Sequence, residues 1–266
     1  MREICLALRE KRPLIHCITN PISIHQCANA ILAIGARPIM AEHPAEVREI
    51  TETADALLLN LGNITDARMR SMKVSLRTAK DKGIPVILDA VGVACSGLRR
   101  DHIAELLEIA VPSIIKGNYS EIYSLHHAAY RSSGVDADAA VNADAVRRAA
   151  AELAQGYRTA ILASGKVDIV ADGAGIVQVQ NGTPQLSRVT GTGCMLGALC
   201  GAYLPVCSAR DAAATACAVM GICGQLAETN KGSGSFMVNL MDALSTFTGV
   251  EFEEYLDMEE IPHEKL

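Results

Sequence analysis

Between Val189 and Leu199 the chain reads VTGTGCMLGAL, where small and hydroxylated residues pass into an apolar segment. The glycines allow a tight turn and a close approach to a ligand, and the apolar residues behind them predict the first turns of a buried helix. Amide hydrogens at a helix start, together with the positive end of its dipole, can hold a phosphoryl group. We therefore expect an anion site here, although glycines also precede helices where no ligand binds.

Neither of two familiar glycine-rich nucleotide motifs accounts for this segment. No Gly-Lys-Ser or Gly-Lys-Thr ends a glycine loop anywhere in the chain, which excludes a Walker P-loop. The glycines at 191, 193 and 197 are spaced one residue too widely for a dinucleotide fingerprint. Cys194 would lie at the electropositive helix start, where we expect its thiol to lose a proton more easily than in water.

Upstream of this segment, short apolar runs alternate with helical stretches. The runs occupy residues 14–18, 38–40, 56–59, 85–88, 113–115 and 159–163. Strands separated by helices of a dozen or more residues imply parallel pairing through crossovers, in a sheet that is covered on both faces. Asp172-Gly173 predicts one hairpin, and the part after Gly191 reads as nearly all helix. The fold class is therefore α/β.

Composition limits the function classes. The chain has 266 residues, of which half are hydrophobic and only 3% aromatic, so aliphatic side chains must fill the core. A net charge of -6 argues against a nucleic-acid surface. A polar segment at 126–141 interrupts the pattern, but strands and helices resume after it on the same plan. We expect one domain, residues 1–266, without a linker.

The cysteines and the longest uncharged segment bear on location. Nine cysteines, without a Cys-x-x-Cys pair or a preceding signal peptide, indicate reduced thiols in a cytoplasmic protein. Residues 189–209 carry no charge and are long enough to span a membrane. Their glycines, Pro205 and polar start favour a buried core helix instead.

Asp89 directly follows the apolar run 85–88. Parallel sheets bind ligands at the carboxyl ends of their strands, so this carboxylate would lie at the mouth of the sheet. It could hold Mg²⁺ directly or through water. Helix capping or loop anchoring is an equally good interpretation of an Asp at this position.

The segment Lys116-Gly117-Asn118-Tyr119-Ser120-Glu121 follows the next predicted strand. Lys116 could neutralise a phosphate as a point charge, and Glu121 could help to organise a metal. A capping box, in which Asn118 and Glu121 satisfy each other's backbone amides, is the plain alternative. Both interpretations can hold together.

Other strand ends add weaker candidates. Ser164 offers a hydroxyl for a nucleotide phosphate, and Asn20 and Met40 follow the first two strands. Met40 could form a soft wall for a flat ligand, although core filling is the commoner role of a methionine. The histidines show no metal spacing and no triad order, so we set aside metal-dependent hydrolysis and Ser-His-Asp chemistry.

Taken together, these segments closely resemble the hydroxyethylthiazole kinase family. The resemblance runs in order and spacing from about residue 13 to 247, and its Thr-Gly-Thr-Gly-Cys ending is specific. The matching segments are Leu14 to Asn20, Leu59 to Gly62, Asp89 to Val93, Lys116 to Glu121, Val189 to Cys194 and Gly232 to Phe236.

The resemblance implies a ribokinase-like three-layer sandwich, with a central, mostly parallel β-sheet, helices on both faces and no separate lid domain. It implies transfer of the ATP γ-phosphoryl group to the primary hydroxyl of 5-(2-hydroxyethyl)-4-methylthiazole, with Mg²⁺, in thiamine salvage. It also implies a homotrimer with sites where subunits meet. By motif position, Asn20, Met40 and Gly191 would line the thiazole site, Lys116, Ser164 and Gly193 would meet the nucleotide, Asp89 and Glu121 would hold the metal, and Cys194 with Asp89 would be catalytic.

Three positions depart from the family pattern. The family commonly has Arg at the position of Lys116, Pro at that of Ala90, and Thr-Gly-Glu where this chain has Ser164-Gly165-Lys166. Two alternative functions stay open at this point. One is an ATP-dependent dehydratase of hydrated NAD(P)H on the same fold, and the other is a non-catalytic thiazole-binding protein.

Overall fold

The computed structural model describes residues 1–127, 129–132 and 141–262. Its helices are α1 Arg2–Lys11, α2 Ile24–Ala33, α3 Val47–Thr53, α4 Asp66–Lys82, α5 Gly97–Ile109, α6 Tyr119–His126, α7 Ala143–Tyr157, α8 Thr192–Tyr203, α9 Ala209–Leu226, α10 Ser233–Thr246 and α11 Phe252–Tyr255. Its strands are β1 Leu14–Ile18, β2 Arg37–Ile39, β3 Ala56–Asn60, β4 Val86–Asp89, β5 Ile114–Asn118, β6 Ala160–Ser164, β7 Asp168–Asp172, β8 Gly175–Val179 and β9 Met258–Pro262.

All nine strands of the described residues belong to one sheet, in the order β2-β1-β3-β4-β5-β6-β7-β8-β9. The pairings from β2 to β6 are parallel, and those from β6 to β9 are antiparallel. The predicted mostly parallel sheet and the hairpin at Asp172-Gly173 are therefore confirmed. The expectation that nearly everything after Gly191 is helix is wrong at the end of the chain, because β9 adds a strand to β8.

Helices cover both faces of the sheet, as predicted. Successive residues of β3 show the alternation: Leu58 packs with the cluster that includes α8, whereas Leu57 and Leu59 pack with the cluster that includes α4. Helices α1, α2, α8, α9 and α10 form one outer layer, and α3 to α7 form the other. Every residue of β3 is buried, as expected for a central strand between two layers.

Local side-chain and backbone chemistry determines where helix α4 begins and ends. Its N-cap is Thr65, whose hydroxyl accepts a hydrogen bond from the amide of Arg68 at 3.3 Å. It ends at Gly83, whose φ of 69° is left-handed and suits a residue without a Cβ. The helix therefore begins and ends where its own sequence predicts.

The uncharged segment becomes α8, which is a core helix: all residues from Cys194 to Tyr203 are buried. In the part of the chain that the structure describes, no helix is both long and apolar enough to cross a membrane.

The polar segment predicted at 126–141 lies partly outside the described residues, which omit 128 and 133–140.

Candidate active site

Three polar side chains stand side by side at the carboxyl ends of β3, β4 and β5. Sheet register pairs Asn60 with Asp89 and Asp89 with Lys116. All three are buried among apolar strands. Parallel pairing thus brings together residues that are far apart in sequence, at the edge where α/β sheets bind ligands.

Asp89 and Lys116 form a buried ion pair. The Lys116 Nζ lies 3.1 Å from Asp89 Oδ1 and 3.2 Å from Oδ2, and the two residues are 3% and 0% exposed. Burial, the largest single influence, would lower the pKa of Lys116, but the charges of Asp89, Cys194 and Glu121 and the hydrogen bonds to Asp89 together raise it. Burial raises the pKa of Asp89, while Lys116 opposes the rise. Each charge is therefore tolerated because the other is present.

The start of α8 lies directly against this pair. Its N-cap Gly191 has a φ of 99°, a left-handed conformation, and no side chain caps the first turn. A Cβ on Gly193 would lie 4.0 Å from the Lys116 Nζ, and one on Gly197 would lie 3.2 Å from Asp89 Oδ2. Helix amides and a lysine ammonium therefore converge on one point, which is suited to a phosphoryl group.

Cys194 lies in the first turn of α8 and is buried. The amide of Asn60 donates a hydrogen bond to its Sγ at 3.4 Å, and Asn60 also donates to Asp89 Oδ2 at 2.9 Å. Burial and the negative charge of Asp89 raise the pKa of the thiol, although Ser23, Lys116 and Asn60 lower it. The expected acidification of Cys194 is therefore wrong, since desolvation outweighs the favourable neighbours.

Glu121 forms the capping box that the sequence offered as the plain alternative. Its Oε2 accepts from the amide of Asn118 at 2.7 Å, and the Asn118 side chain accepts from the amide of Glu121 at 2.9 Å. Oε1 accepts from the amide of Gly92 at 2.6 Å. Burial and the nearby Asp89 raise the pKa of Glu121 to about 7.

The donor set at these two carboxylates fits Mg²⁺ rather than a metal held wholly by protein. Among the described residues, no group of three or more His, Cys, Asp or Glu could form a metal cage. The charge of Asp89 raises the pKa of Glu121, and each Glu121 oxygen accepts one backbone hydrogen bond, which leaves it a further lone pair. Mg²⁺ commonly takes one or two carboxylates and completes its coordination with phosphate and water.

A cavity of about 600 Å³ opens beside the α8 start. Its lining includes Ser164, Lys166, Asp168 and Gly193 among its polar residues and glycines, and Leu186, Leu196 and Met220 among its apolar ones. Ser164 itself donates a hydrogen bond to the carbonyl of Gly117 at 3.3 Å. The cavity therefore holds two of the three predicted nucleotide residues and lies on the β6 side of Lys116.

The predicted thiazole residues lie on the other side, around β1. The turn after Asn20 brings Ser23 to the α8 start, where a Cβ on Gly191 would lie 3.1 Å from the Ser23 Cβ. The Asn20 side chain packs closely against Gly62. Met40 is half-buried at the border of the apolar cluster that includes Cys194, so its core role is visible as well.

Two residues that matter for this geometry were not among the predicted site residues. Asn60 ends β3, so the strand-end rule selects it from the sequence, but only the structure shows its role, which is to donate hydrogen bonds to both Asp89 and Cys194. Arg68 lies within α4 and is only 2% exposed. No sequence signal distinguishes it from the exposed arginines of an amphipathic helix.

A model of the hydroxyethylthiazole kinase family matches residues 6–249. The chain belongs to this family. The hydroxyethylthiazole kinase 2 of Clostridium botulinum (strain Hall) is 43% identical to it over 249 residues, which cover 90% of this chain and 92% of that protein.

Solved structures agree with this membership in the hydroxyethylthiazole kinase family. A hydroxyethylthiazole kinase protein from Pyrococcus horikoshii OT3 superimposes with a TM-score of 0.87 at 33% identity, covering 98% of this chain and all of that one. A ribokinase-like superfamily protein from Enterococcus faecalis gives a TM-score of 0.64 at 15% identity, over 93% of this chain and 94% of that one. The second likeness concerns the fold alone and confirms the ribokinase-like prediction.

Proposed function

We propose that this chain transfers the γ-phosphoryl group of ATP to the primary hydroxyl of 5-(2-hydroxyethyl)-4-methylthiazole, a step of thiamine biosynthesis. The observation that carries the proposal is the buried Asp89–Lys116 pair beneath the uncapped start of α8, beside a cavity large enough for much of a nucleotide. Family membership supports both the kinase chemistry and the thiazole substrate.

The two sides of the α8 start divide the substrates between them. The cavity beside Ser164 and Gly193 would take the nucleotide, with its phosphates directed toward Lys116. The turn that carries Asn20 meets α8 at Gly191 from the β1 side and would take the thiazole. The two reactants would then meet at the first turn of α8, and such positioning removes much of the barrier to transfer.

Within this proposal, Asp89 and Glu121 hold Mg²⁺. Bound with ATP, the ion would neutralise charge on the phosphate oxygens. Lys116 adds a fixed positive charge, and the α8 amides stabilise the phosphoryl group during transfer. Lysine supplies this charge as a point rather than as the planar fork of an arginine, so orientation depends on Asp89.

Cys194 would lie next to the reacting hydroxyl. Because burial and Asp89 raise the pKa of its thiol, most of it is protonated near neutral pH, and base catalysis by the thiolate contributes little. We assign Cys194 mainly to shaping the site. Asp89 keeps Lys116 in place and, through Asn60, orients the Cys194 side chain.

Incubation with Mg-ATP and hydroxyethylthiazole, followed by mass spectrometry, tests the function directly. We expect the thiazole to gain one phosphoryl group while ADP is formed. A parallel reaction with hydrated NADH tests the dehydratase alternative, which requires NADH formation and an unchanged thiazole. Thiazole binding without ATP turnover would identify a non-catalytic binding protein. Either of these results would overturn the proposal.

We propose in addition that the protein is a homotrimer with its sites at subunit interfaces. A groove between α2 and α10 supports a contact surface there, since Leu32, Met237 and Met241 line it together with polar residues, and Leu32 and the neighbouring Val238 are 55% and 60% exposed. Light scattering after size exclusion should give three times the monomer mass for the wild type. Val238→Asp should dissociate the trimer, whereas Val111→Asp, at an exposed position elsewhere, should not.

A single domain spanning residues 1–266 and a cytoplasmic location remain proposals of the same kind. All nine cysteines are free thiols, which supports a reducing compartment. A single cooperative unfolding transition would support the single domain.

A further inference from the structure

Arg68 is a buried cation whose contacts reach three separate loops. Its Nη1 donates to the carbonyls of Gly62 at 2.8 Å and Asn63 at 2.7 Å, and its Nη2 donates to the carbonyl of Thr19. Its Nε lies 3.2 Å from Glu42 Oε2. One side chain of α4 thus joins the loop after β1, the segment after β2 and the loop after β3.

Loss of these buried contacts would cost more free energy than loss of contacts at the surface. A guanidinium that is 2% exposed has lost its water, and the three backbone carbonyls it binds would lose their partner if it were removed. Only the planar fork of arginine presents several N–H donors in fixed directions. The geometry therefore constrains the loops more tightly than packing alone.

Two of the three loops carry the predicted thiazole residues. Thr19 immediately precedes Asn20, and the Gly62 backbone is so close to Asn20 that a Cβ there would lie 2.5 Å from Asn20 Nδ2. Glu42 lies two residues after Met40. Arg68 therefore holds the backbone next to Asn20 and the Glu42 carboxylate two residues after Met40, without contacting the reacting atoms itself.

The same guanidinium is connected to the phosphoryl-transfer residues. It binds the Gly62 carbonyl, while the Gly62 amide donates to Asn60 Oδ1 at 2.8 Å. Asn60 in turn donates to Asp89 and to Cys194. Both backbone polar groups of Gly62 are therefore held by side chains: Arg68 binds its carbonyl, and Asn60 binds its amide.

We propose that Arg68 is a positioning residue that sets the alcohol-substrate side of the site by fixing the loops of Asn20 and Met40 against each other. This inference rests on the proposed function for the identity of the substrate. The cavity residues Ser164 and Gly193 make no hydrogen bond or ion pair with Arg68 among the described residues, so KM for ATP should be insensitive to Arg68.

Two substitutions test this inference by steady-state kinetics. Arg68→Met keeps the aliphatic stem and removes the fork, and Arg68→Lys keeps the charge but cannot reach three carbonyls at once. We expect Arg68→Met to raise KM for hydroxyethylthiazole by about tenfold, with a smaller rise for Arg68→Lys, while KM for ATP stays within about twofold. A merely destabilising change would reduce the active fraction and leave both KM values unchanged.

Two control variants distinguish the positioning role of Arg68 from a general loss of stability and from the loss of its ion pair with Glu42. Arg210 binds Asp172 and Glu260 at the opposite end of the strands, so Arg210→Met should lower stability without changing either KM. Glu42 is 44% exposed, and an exposed ion-pair partner contributes little. Glu42→Gln removes this charge but keeps a side-chain oxygen that can accept from the Arg68 Nε, so we expect it to behave like the wild type.

Amide hydrogen exchange supplies a readout that does not depend on the reaction. In Arg68→Met we expect faster exchange in residues 19–23, 40–43 and 61–64, and unchanged exchange in 164–168 and 192–196. If the wild type fails to phosphorylate hydroxyethylthiazole, the proposed function is wrong, and the exchange pattern alone decides the positioning role. An unchanged thiazole KM in an active enzyme, or unchanged exchange in the three loops, overturns the inference about Arg68.

Discussion

At the scale of single residues, the site depends on groups whose charge is costly to bury. Asp89 and Lys116 compensate each other at 0% and 3% exposure, so the loss of one leaves the other charged and without its partner. Cys194 is in a different position, because a buried thiol can simply stay protonated. The two predicted catalytic residues should therefore differ sharply in their sensitivity to substitution.

We expect Asp89→Ala to lower kcat by more than about 10³-fold, because the proposed metal site and the orientation of Lys116 would both be lost. Cys194→Ala should lower kcat by only about tenfold to a hundredfold, since positioning by the α8 amides persists. Single-turnover kinetics under saturating substrates measures both effects. Cys223→Ala, a buried cysteine of α9, serves as the control and should leave kcat unchanged. Equally small effects of the first two substitutions would contradict their assigned roles.

Asp168 should make stability depend on pH. Its Oδ1 accepts from the amide of Gly165 at 3.0 Å, and burial raises its pKa to about 6, whereas an unfolded Asp titrates near ~3.9. The folded chain therefore keeps a proton that the unfolded chain releases. The stabilisation from this group is complete below about pH 4 and is lost as the pH rises through about 6.

Asparagine retains the acceptor oxygen and cannot titrate. We expect Asp168→Asn to gain on the order of 1–2 kcal/mol in unfolding free energy relative to the wild type between pH 4 and pH 7. Urea unfolding of both proteins at the two pH values measures this difference. A relative stability that does not change with pH, or that falls, would show that the Asp168 carboxyl is not the titrating group.

At the scale of elements, α8 serves both as a wall of the core and as a wall of the site. Gly197 faces Asp89, since a Cβ there would lie 3.2 Å from Oδ2, whereas a Cβ on Gly201, one turn later, would meet only apolar atoms at 3.4 Å or more. We expect Gly197→Ala to lower kcat by about tenfold or more by displacing the Asp89–Lys116 pair. Gly201→Ala is the matched control in the same helix and should retain wild-type turnover.

Circular dichroism should show both alanine variants folded, because alanine has a higher helix propensity than glycine. A lower kcat in Gly201→Ala as well would mean that α8 as a whole has shifted. Normal turnover in Gly197→Ala would instead show that the pair can move away from a methyl group without loss.

The sequence predicted elements best where one physical signal dominates. Buried strands such as β3 and β6 are continuous apolar runs, and α8 follows a glycine start, so these elements are found within one or two residues. Strand β9 was missed because its residues, MEEIP, include two adjacent glutamates and a proline and show no alternating or continuous apolar pattern, and it pairs on one side only. Its pairing is determined by tertiary contact, such as that of Gln180 with Asp257 at 3.1 Å, and not by local pattern.

At the scale of the whole molecule, the order of strands in the sheet determines which strand-end residues lie next to one another and so form the site. The sequence could indicate that Asp89 and Lys116 follow strands, and the parallel pairing expected for an α/β chain places such residues at one edge. It could not indicate which strands are neighbours, and hence that Asn60 stands beside Asp89. It gave no reason to expect Arg68 inside, because burial of a guanidinium depends on carbonyls from loops 5 to 49 residues away along the chain.

Strand β9 protects the chain against aggregation through strand pairing with other copies. Without β9, the next strand, β8, would present unpaired backbone groups along Gly175–Val179, a largely apolar edge that invites another chain to pair with it. Strand β9 covers this edge and ends the sheet with Glu259, Glu260 and Pro262, and charge and proline both discourage further pairing. The family match ends at residue 249, so this cover lies beyond it.

A chain shortened to residues 1–256 keeps every predicted site residue yet should aggregate. We expect turbidity on warming to begin at a lower temperature and at lower protein concentration than for the full chain, while fresh dilute samples still turn over substrate. Replacing Glu259 and Glu260 by valine in the full chain should have a milder effect in the same direction. For this protein, the last residues of the sheet would then matter less for catalysis than for remaining dispersed at high concentration.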